Sequence, residues 1–281
     1  MAVPSTAAGV AWLRAAHQLV DAPPLILDDP VILRLLPGSV VEGLRANPVS
    51  AQSQGARMLR SHIVLRSRFA EDRLRVAMER GVRQYVILGA GYDTFVARQP
   101  EWARALRIVE VDRPALQQEK RARLAEFGVD VPENVRFVAI DFEAESLADG
   151  LAREHVSLNE PTFFSWLGVT MYLTEPAIDA VLGTVAKSPR GSEIVFTFAP
   201  RPTREREPGA SDVSVLAERA ASIGEPWLTY FSVEALQRKL ERHGFSRIEF
   251  LTPADAESRY FAGRSDGLLA PKRTTIVSAV V

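Results

Sequence analysis

Apolar positions recur every three to four residues through the first 80 positions, then give way to short, nearly continuous apolar runs. Residues 6–20, TAAGVAWLRAAHQLV, place Val10, Leu13, His17 and Val20 near one helical face behind Ser5 and Thr6, so a helix is predicted there. The connector that follows carries Pro23, Pro24, Pro30 and Pro37, and proline's fixed φ and missing N–H restrict it to short helical pieces. From Gln52 to Arg80 a longer helical pattern runs through Leu59, Ile63, Arg66, Ala70, Leu74 and Ala77, with Gly81 placed to stop it.

From Gln84 onward, strands are predicted at 84–88, 106–111, 135–140, 162–167, 193–199, 247–251 and 274–281. Helices fit between them around Trp102 and at 114–127, 175–187, 211–223 and 233–243. Short apolar strands alternating with helices predict an α/β fold, a mainly parallel seven-stranded sheet with helices on both faces. No helical pattern separates the last two strands, which predicts an antiparallel strand near one edge. The whole chain, 1–281, reads as one domain: an N-terminal helical extension over 1–80 and a Rossmann-like core over 81–281.

Composition narrows the chemistry. With 34 Lys plus Arg against 35 Asp plus Glu, the net charge of −1 offers no basic footprint for nucleic acid or an anionic membrane. The absence of cysteine excludes disulfides, thiolate-held metals and a thiol nucleophile. No apolar stretch approaches the roughly 18–20 residues that cross a bilayer, and Arg14 and His17 interrupt the first apolar run, so no signal peptide is predicted and a cytoplasmic location is expected. Only Lys120, Lys187, Lys239 and Lys272 are lysines, against 30 arginines, and of the seven arginines from Arg57 to Arg80 most must form a solvated face.

Ligands of open α/β sheets sit beyond the carboxyl ends of the strands, which puts the weight on four short motifs. The first strand ends in Gly89-Ala90-Gly91-Tyr92-Asp93-Thr94, a GxG turn with threonine where a dinucleotide fingerprint has its third glycine. The second ends at Asp112, where a carboxylate can accept both hydroxyls of a ribose, a need common to NAD and S-adenosylmethionine. The third ends in Asp141 and Phe142, suited to an adenine amino group and ring; the fourth runs into Leu167-Gly168-Val169-Thr170. Three such ends in succession favour an adenosyl cofactor, and Thr94 weakens the alternative of an NAD-dependent dehydrogenase.

The runs VRQYVILGAGYDTFVAR, VEVDRPALQQEK, AIDFEAESL and FFSWLGVTMYLTEPAI resemble the leucine carboxyl methyltransferase family of class I S-adenosylmethionine-dependent methyltransferases. They are most similar to its bacterial branch, which includes polyketide carboxyl O-methyltransferases. The resemblance extends from TAAGVAWLRAAHQLVDAPPLILDDP to the late RYFAGRSDGL, with the LGAGYDT and EVDRP pair as its specific core. It implies a class I methyltransferase fold and S-adenosyl-L-methionine as cofactor. Gly89, Ala90 and Gly91 would line the cofactor's amino-acid part, Asp112 its ribose, and Asp141 with Phe142 its adenine. Arg66, in LRSRFAED, stands where the family has an arginine that grips the cofactor carboxylate, a task suited to a planar guanidinium.

Two positions depart from the family. Asp28 stands where parts of it have a lysine, and Leu167 where many members carry a glutamate. The departures leave open an idle S-adenosylmethionine-binding protein as the alternative to an O-methyltransferase acting on a small-molecule acceptor such as a carboxylate. A carboxylate is ionised at neutral pH and needs no base, and none of His17, His62, His155 and His243 abuts a predicted strand end. No catalytic residue and no metal site is assigned. The expected acceptor pocket comprises Trp166, Thr170, Met171 and Tyr172, with Trp227 and Tyr230 of PWLTYF as a wall; 200–209 is a candidate lid within a wider lid and acceptor region, 200–232.

Overall fold

The computed structural model describes residues 5–201 and 213–281. Its N-terminal region comprises α1 (Thr6–Val20), α2 (Ile32–Leu35), α3 (Gly38–Ala46), α4 (Val49–Gln52) and α5 (Gln54–Glu79). Ser5 caps α1, its Oγ accepting from the Ala8 N–H at 3.2 Å. The single helix expected over 52–80 is split at Ser53, which leaves helical geometry to cap α5 through Ala56 N–H at 3.3 Å. At the far end Gly81 adopts φ +99°, letting the Val82 N–H reach back to the Ala77 carbonyl at 3.1 Å.

The core follows as β1 (Gln84–Leu88), α6 (Phe95–Arg98), β2 (Arg107–Asp112), α7 (Pro114–Glu126), β3 (Val135–Ala139), α8 (Leu147–Arg153), β4 (Thr162–Trp166), α9 (Glu175–Ala186) and β5 (Glu193–Thr197). Then come α10 (Val213–Ser222), α11 (Val233–His243), β6 (Arg247–Phe250), α12 (Pro253–Ala256) and β7 (Ile276–Val280). Trp102 lies in a 3₁₀ turn, Glu101–Ala103, rather than a longer helix. Periodicity missed α12 and the π-helical turn Glu257–Phe261 after it, which stand between the last two strands where no helix was expected, and it missed α8. Helix α8 is seven residues long, and its Gly150 packs so closely that a Cβ there would stand 2.3 Å from Ile140 Cδ1.

The seven strands lie in the order β3-β2-β1-β4-β5-β7-β6. Strands β1 to β5 pair in parallel, and β7 inserts antiparallel between β5 and β6. From β1 the chain builds outward to β2 and β3, then returns to build β4 and β5 on the other side. The crevice at the β1/β4 carboxyl ends is therefore the topological switch point.

Both faces are covered. Side chains alternate along β1: Tyr85 and Ile87 join Val64, Leu65, Phe69, Ala70 and Leu74 of α5 in one core, while Val86 and Leu88 join the core under α8, α9 and α11. Phe69 and Leu74 are fully buried, each contributing roughly 1.5–3 kcal/mol of burial free energy. These contacts fix α5 across the sheet, and with it the side chains at its upstream end.

The terminal stretches of the resemblance pack on each other. Arg264 donates to the Pro24 carbonyl at 2.7 Å and the Ala22 carbonyl at 2.8 Å, and Asp266 accepts from the Ala22 N–H at 3.1 Å. The proline-rich connector is thus held by the loop before β7. Of the lid candidate 200–209, residues 202–209 lie outside the described residues. Of the wider region, 213–232 forms α10 and a segment returning over the end of β4.

Candidate active site

The turn after β1 is shaped by two glycines. Gly89 has φ +64° and Gly91 φ +52°, a region that side-chain-bearing residues avoid. A Cβ on Gly89 would lie 2.4 Å from Val169 Cγ2, so the turn also needs that glycine for its approach to the β4 loop. The Gly89 and Ala90 N–H groups both donate to the Val111 carbonyl, at 2.7 and 3.2 Å, pinning the turn to β2.

Asp112 closes the same corner. Its Oδ2 accepts from Gly91 N–H at 2.5 Å and its Oδ1 from Arg113 N–H at 2.7 Å, which holds the buried carboxylate in one orientation at the end of β2. Burial pushes its pKa up, and the two backbone donors only partly oppose that. At the end of β3, Asp141 is exposed and accepts from the Glu143 N–H at 3.0 Å, while Phe142 is buried edge-on against Trp166.

Thr94, in the place of a third glycine, belongs to a buried ion network that docks α1. Arg14 pairs with Asp29 at 2.7 Å and Asp93 at 3.0 Å and donates to Thr94 Oγ1 at 3.1 Å; the Thr94 hydroxyl donates to Asp29 at 2.6 Å. Burial raises the pKa of Asp93, but the charges of Arg14, Lys120 and Arg98 together with the Phe95 N–H outweigh it, and the net direction is down. Arg98 extends the network to Glu71 of α5. Ala7 of α1 then lies over the glycine turn, 3.7 Å from where a Gly91 Cβ would stand. The first turn of α1 is also tied across the site, with Thr6 N–H donating to Glu225 at 2.9 Å. Asp28 is exposed and takes no part in this network.

Arg66 reaches the switch point from α5. Its guanidinium lies against Gly168 after β4, where a Cβ would stand 2.4 Å from Nη1, and Gly168 has φ +78°. It is half-buried and makes no hydrogen bond or ion pair among the described residues, unlike its neighbours Arg60, Arg68 and Arg73. Burial first, and then the charge of Arg14, push its pKa down to about 10. An unpartnered cation of this kind is stabilised by an incoming carboxylate.

The other expected site residues separate into two groups. Tyr172 stands edge-on to Trp227 with ring centroids 6.5 Å apart, and Trp227 is 6.1 Å from Tyr230, forming an aromatic wall. The Leu228 N–H fixes this wall to the β4 loop by donating to the Met171 carbonyl at 2.7 Å. Beside it a cavity of about 440 Å³ is lined by Glu175, Arg201, Leu228, Thr229 and Tyr230. Trp166 and Thr170 lie elsewhere. Trp166 is fully buried between Phe142 and Phe196, because the alternation along β4 turns it into the core, and the buried Thr170 hydroxyl donates to the Thr197 carbonyl at 2.7 Å. Leu167 is half-buried and packs toward the core beneath α5.

One residue that sequence reasoning set aside stands at this edge. His62, one turn before Arg66, has Nδ1 3.3 Å from Thr275 Oγ1, just ahead of β7. The i, i+4 spacing to Arg66 was the available signal; the partner Thr275 was not visible from it. Among the described residues no group of three or more His, Asp or Glu is placed to hold a metal ion, and no helix is long and apolar enough to cross a membrane.

The family model described as leucine carboxyl methyltransferase matches residues 7–186. A Bacillus subtilis protein, YktD, named an S-adenosyl-L-methionine-dependent methyltransferase, is 35% identical over 216 residues, covering 76% of this chain and 71% of its own. A Parafrankia protein carrying the same description is 31% identical over 222 residues, covering 76% and 69%. Among solved structures, a Thermobifida fusca methyltransferase superposes with a TM-score of 0.58 at 18% identity, over 88% of this chain and 92% of its own. A DUF574-family protein of Streptomyces avermitilis does so with a TM-score of 0.52 at 16% identity, over 95% and 96%. At those identities the two structures speak for the fold alone.

Proposed function

This chain belongs to the leucine carboxyl methyltransferase family and is an S-adenosylmethionine-dependent methyltransferase; we propose that it methylates a small-molecule carboxylate at oxygen. The observation that carries the site is the unpartnered Arg66 guanidinium, set against Gly168 at the switch point. The residues there fit the cofactor: a positive-φ turn that tolerates no Cβ at Gly89, an oriented acid at Asp112, and a cation lacking an anion. When bound, S-adenosylmethionine supplies a methyl group on a sulfonium; the acceptor oxygen's electron pair forms the new O–C bond while the broken S–C bond leaves its pair on sulfur.

In this reading Arg66 grips the cofactor's carboxylate with two parallel hydrogen bonds. Gly89, Ala90 and Gly91 let that end approach the backbone, Asp112 accepts from the ribose hydroxyls, and Asp141 with Phe142 holds adenine. Helix α1, tied to Glu225 and to Asp93, covers the turn and excludes water, which favours displacement between aligned reactants. Tyr172, Trp227 and Tyr230 supply the apolar wall for the acceptor. A carboxylate fits better than a phenol because no strong base stands at the edge among the described residues: burial, and then the charge of Arg66, push His62 down to about 3.

The test is incubation with methyl-labelled S-adenosylmethionine and an organic-acid extract, followed by mild alkali. Release of the label as methanol is expected, and an alkali-stable product would refute carboxyl methylation.

A further inference from the structure

Helix α5 presents two polar side chains to the carboxyl edge of the sheet, His62 and Arg66, one turn apart on the same face. They meet different strands. Arg66 lies against Gly168 at the end of β4. His62 lies beside Thr275, whose carbonyl accepts from Phe198 N–H at 3.0 Å, so the imidazole stands where β5 ends and β7 begins. In the sheet order the turn of Gly89, then Asp112, then Asp141 recede from β4 in one direction, while β5 and β7 lie in the other. His62 is therefore one step past the cation that would grip the cofactor, on the side away from the acids that would hold its nucleoside.

The ring has one nitrogen to offer there. Nδ1 is engaged by Thr275 Oγ1, and Nε2 has no hydrogen-bond partner among the described residues. Burial, then the positive charge of Arg66, keep the imidazole neutral throughout the physiological range. A neutral ring of such low basicity is a poor proton acceptor from a phenol, but with its proton on Nε2 it is a sound donor to an anion.

Resting on the carboxylate reading above, we propose that His62 orients the methyl acceptor, its Nε2–H donating to one carboxylate oxygen so that the other oxygen is presented for methylation. Thr275 acts through it as a positioning residue: its hydroxyl donates to Nδ1 and so fixes the proton on Nε2. His62 keeps its proton throughout, because the acceptor arrives ionised and the ester leaves with no proton to transfer. The ring thus contributes alignment, not acid–base chemistry.

Benzoate and octanoate serve as probes, titrated into the full-length protein saturated with S-adenosylhomocysteine. In the unaltered protein, a nitrogen-15 correlation spectrum of the imidazoles is expected to show the His62 Nε2–H resonance shifting on addition of either acid. His62→Leu is expected to weaken acid binding roughly tenfold or more, as for a lost hydrogen bond to a charged group, with S-adenosylhomocysteine affinity unchanged within about twofold. His62→Gln, which keeps an N–H at similar reach, is expected to retain most of the acid affinity. Unchanged acid binding in His62→Leu, an unmoved Nε2–H resonance, or a parallel loss of S-adenosylhomocysteine would each overturn the assignment. Should His62→Leu fail to fold, the resonance in the unaltered protein and the glutamine variant decide it. If neither acid binds the unaltered complex, the carboxylate reading falls, and this inference with it; if acids bind but His62 is indifferent, only the inference falls.

Discussion

Replacing Arg66 with methionine should make the protein more stable and its cofactor binding much weaker. The two signs come from one fact: the guanidinium is half-buried with no anionic partner among the described residues, and its pKa is pushed down to about 10. The gap to the ordinary arginine value corresponds to roughly 3 kcal/mol of unfavourable burial at neutral pH. Solvent reaching the side chain reduces that to about 1–2 kcal/mol. Methionine keeps the length, packs beside Gly168 and carries no charge, so the ligand-free Tm should rise by about 2–4 °C for a chain of this size. With S-adenosylhomocysteine the order reverses. Loss of a bidentate, charge-assisted contact should raise Kd roughly hundredfold, about 2.7 kcal/mol. At a ligand concentration near 100 times the wild-type Kd, wild type gains about 2.7 kcal/mol by mass action and the variant only about 0.4. Calorimetric titration and thermal melts with and without ligand measure both quantities, with Arg75→Ala, at an exposed position of the same helix, as the control. A lower ligand-free Tm together with a Kd within about threefold of wild type would refute the assignment and return Arg66 to the background of arginines.

Three further outcomes follow from the packing. Gly89→Ala must relieve a 2.4 Å approach to Val169 and hold φ at +64°; urea unfolding should show a loss of about 2–4 kcal/mol, only partly recovered in Gly89→Ala with Val169→Ala. Lys120 and Glu110 pair at 2.6 Å, both almost inaccessible to solvent. Lys120→Met should therefore cost about 3–5 kcal/mol by stranding a buried carboxylate, and Glu110→Gln in the same chain should restore most of it in denaturant midpoints. Asp21 is held by Arg60 at 2.7 Å and by His17 at 2.7 Å. Burial raises its pKa, but those two partners outweigh burial and leave it lowered. Its contribution is thus fully present above the ordinary carboxylate pKa and lost as pH falls through the lower folded value. Asp21→Asn should flatten the decline of Tm below about pH 4, and an unchanged acid limb would contradict this.

How much of this was legible in the sequence differs by residue. The placement of Gly89, Gly91 and Asp112 along one edge could be read because each stands at the end of a strand whose apolar run is unambiguous, and strand ends in a parallel sheet share one edge. The position of Arg66 on the sheet-facing side of α5 was legible through the helical period that places it with Ile63 and Ala70. Trp166 was misjudged as pocket wall because an aromatic beside an active loop looks the same in a linear reading whether β4's alternation turns it outward or into the core. Thr94 looked like a defect in a glycine fingerprint; in three dimensions it is a fully buried hydroxyl bonded to Asp29.

By itself the sequence determined what depends on neighbours in the chain: the helical extension, the seven strands, the positive-φ turn and the acid at the end of β2. Periodicity and local backbone preference act over a few residues, so they survive a linear reading. Tertiary structure alone decided the pairings over long separations: Arg14 with Asp29 and Asp93, Thr6 with Glu225, Arg264 with the proline-rich connector, and His62 with Thr275. Each depends on the order in which strands assemble and on how α5 crosses them, and no local propensity encodes that. The same geometry left Arg66, one of many arginines, against Gly168 with no anionic partner among the described residues.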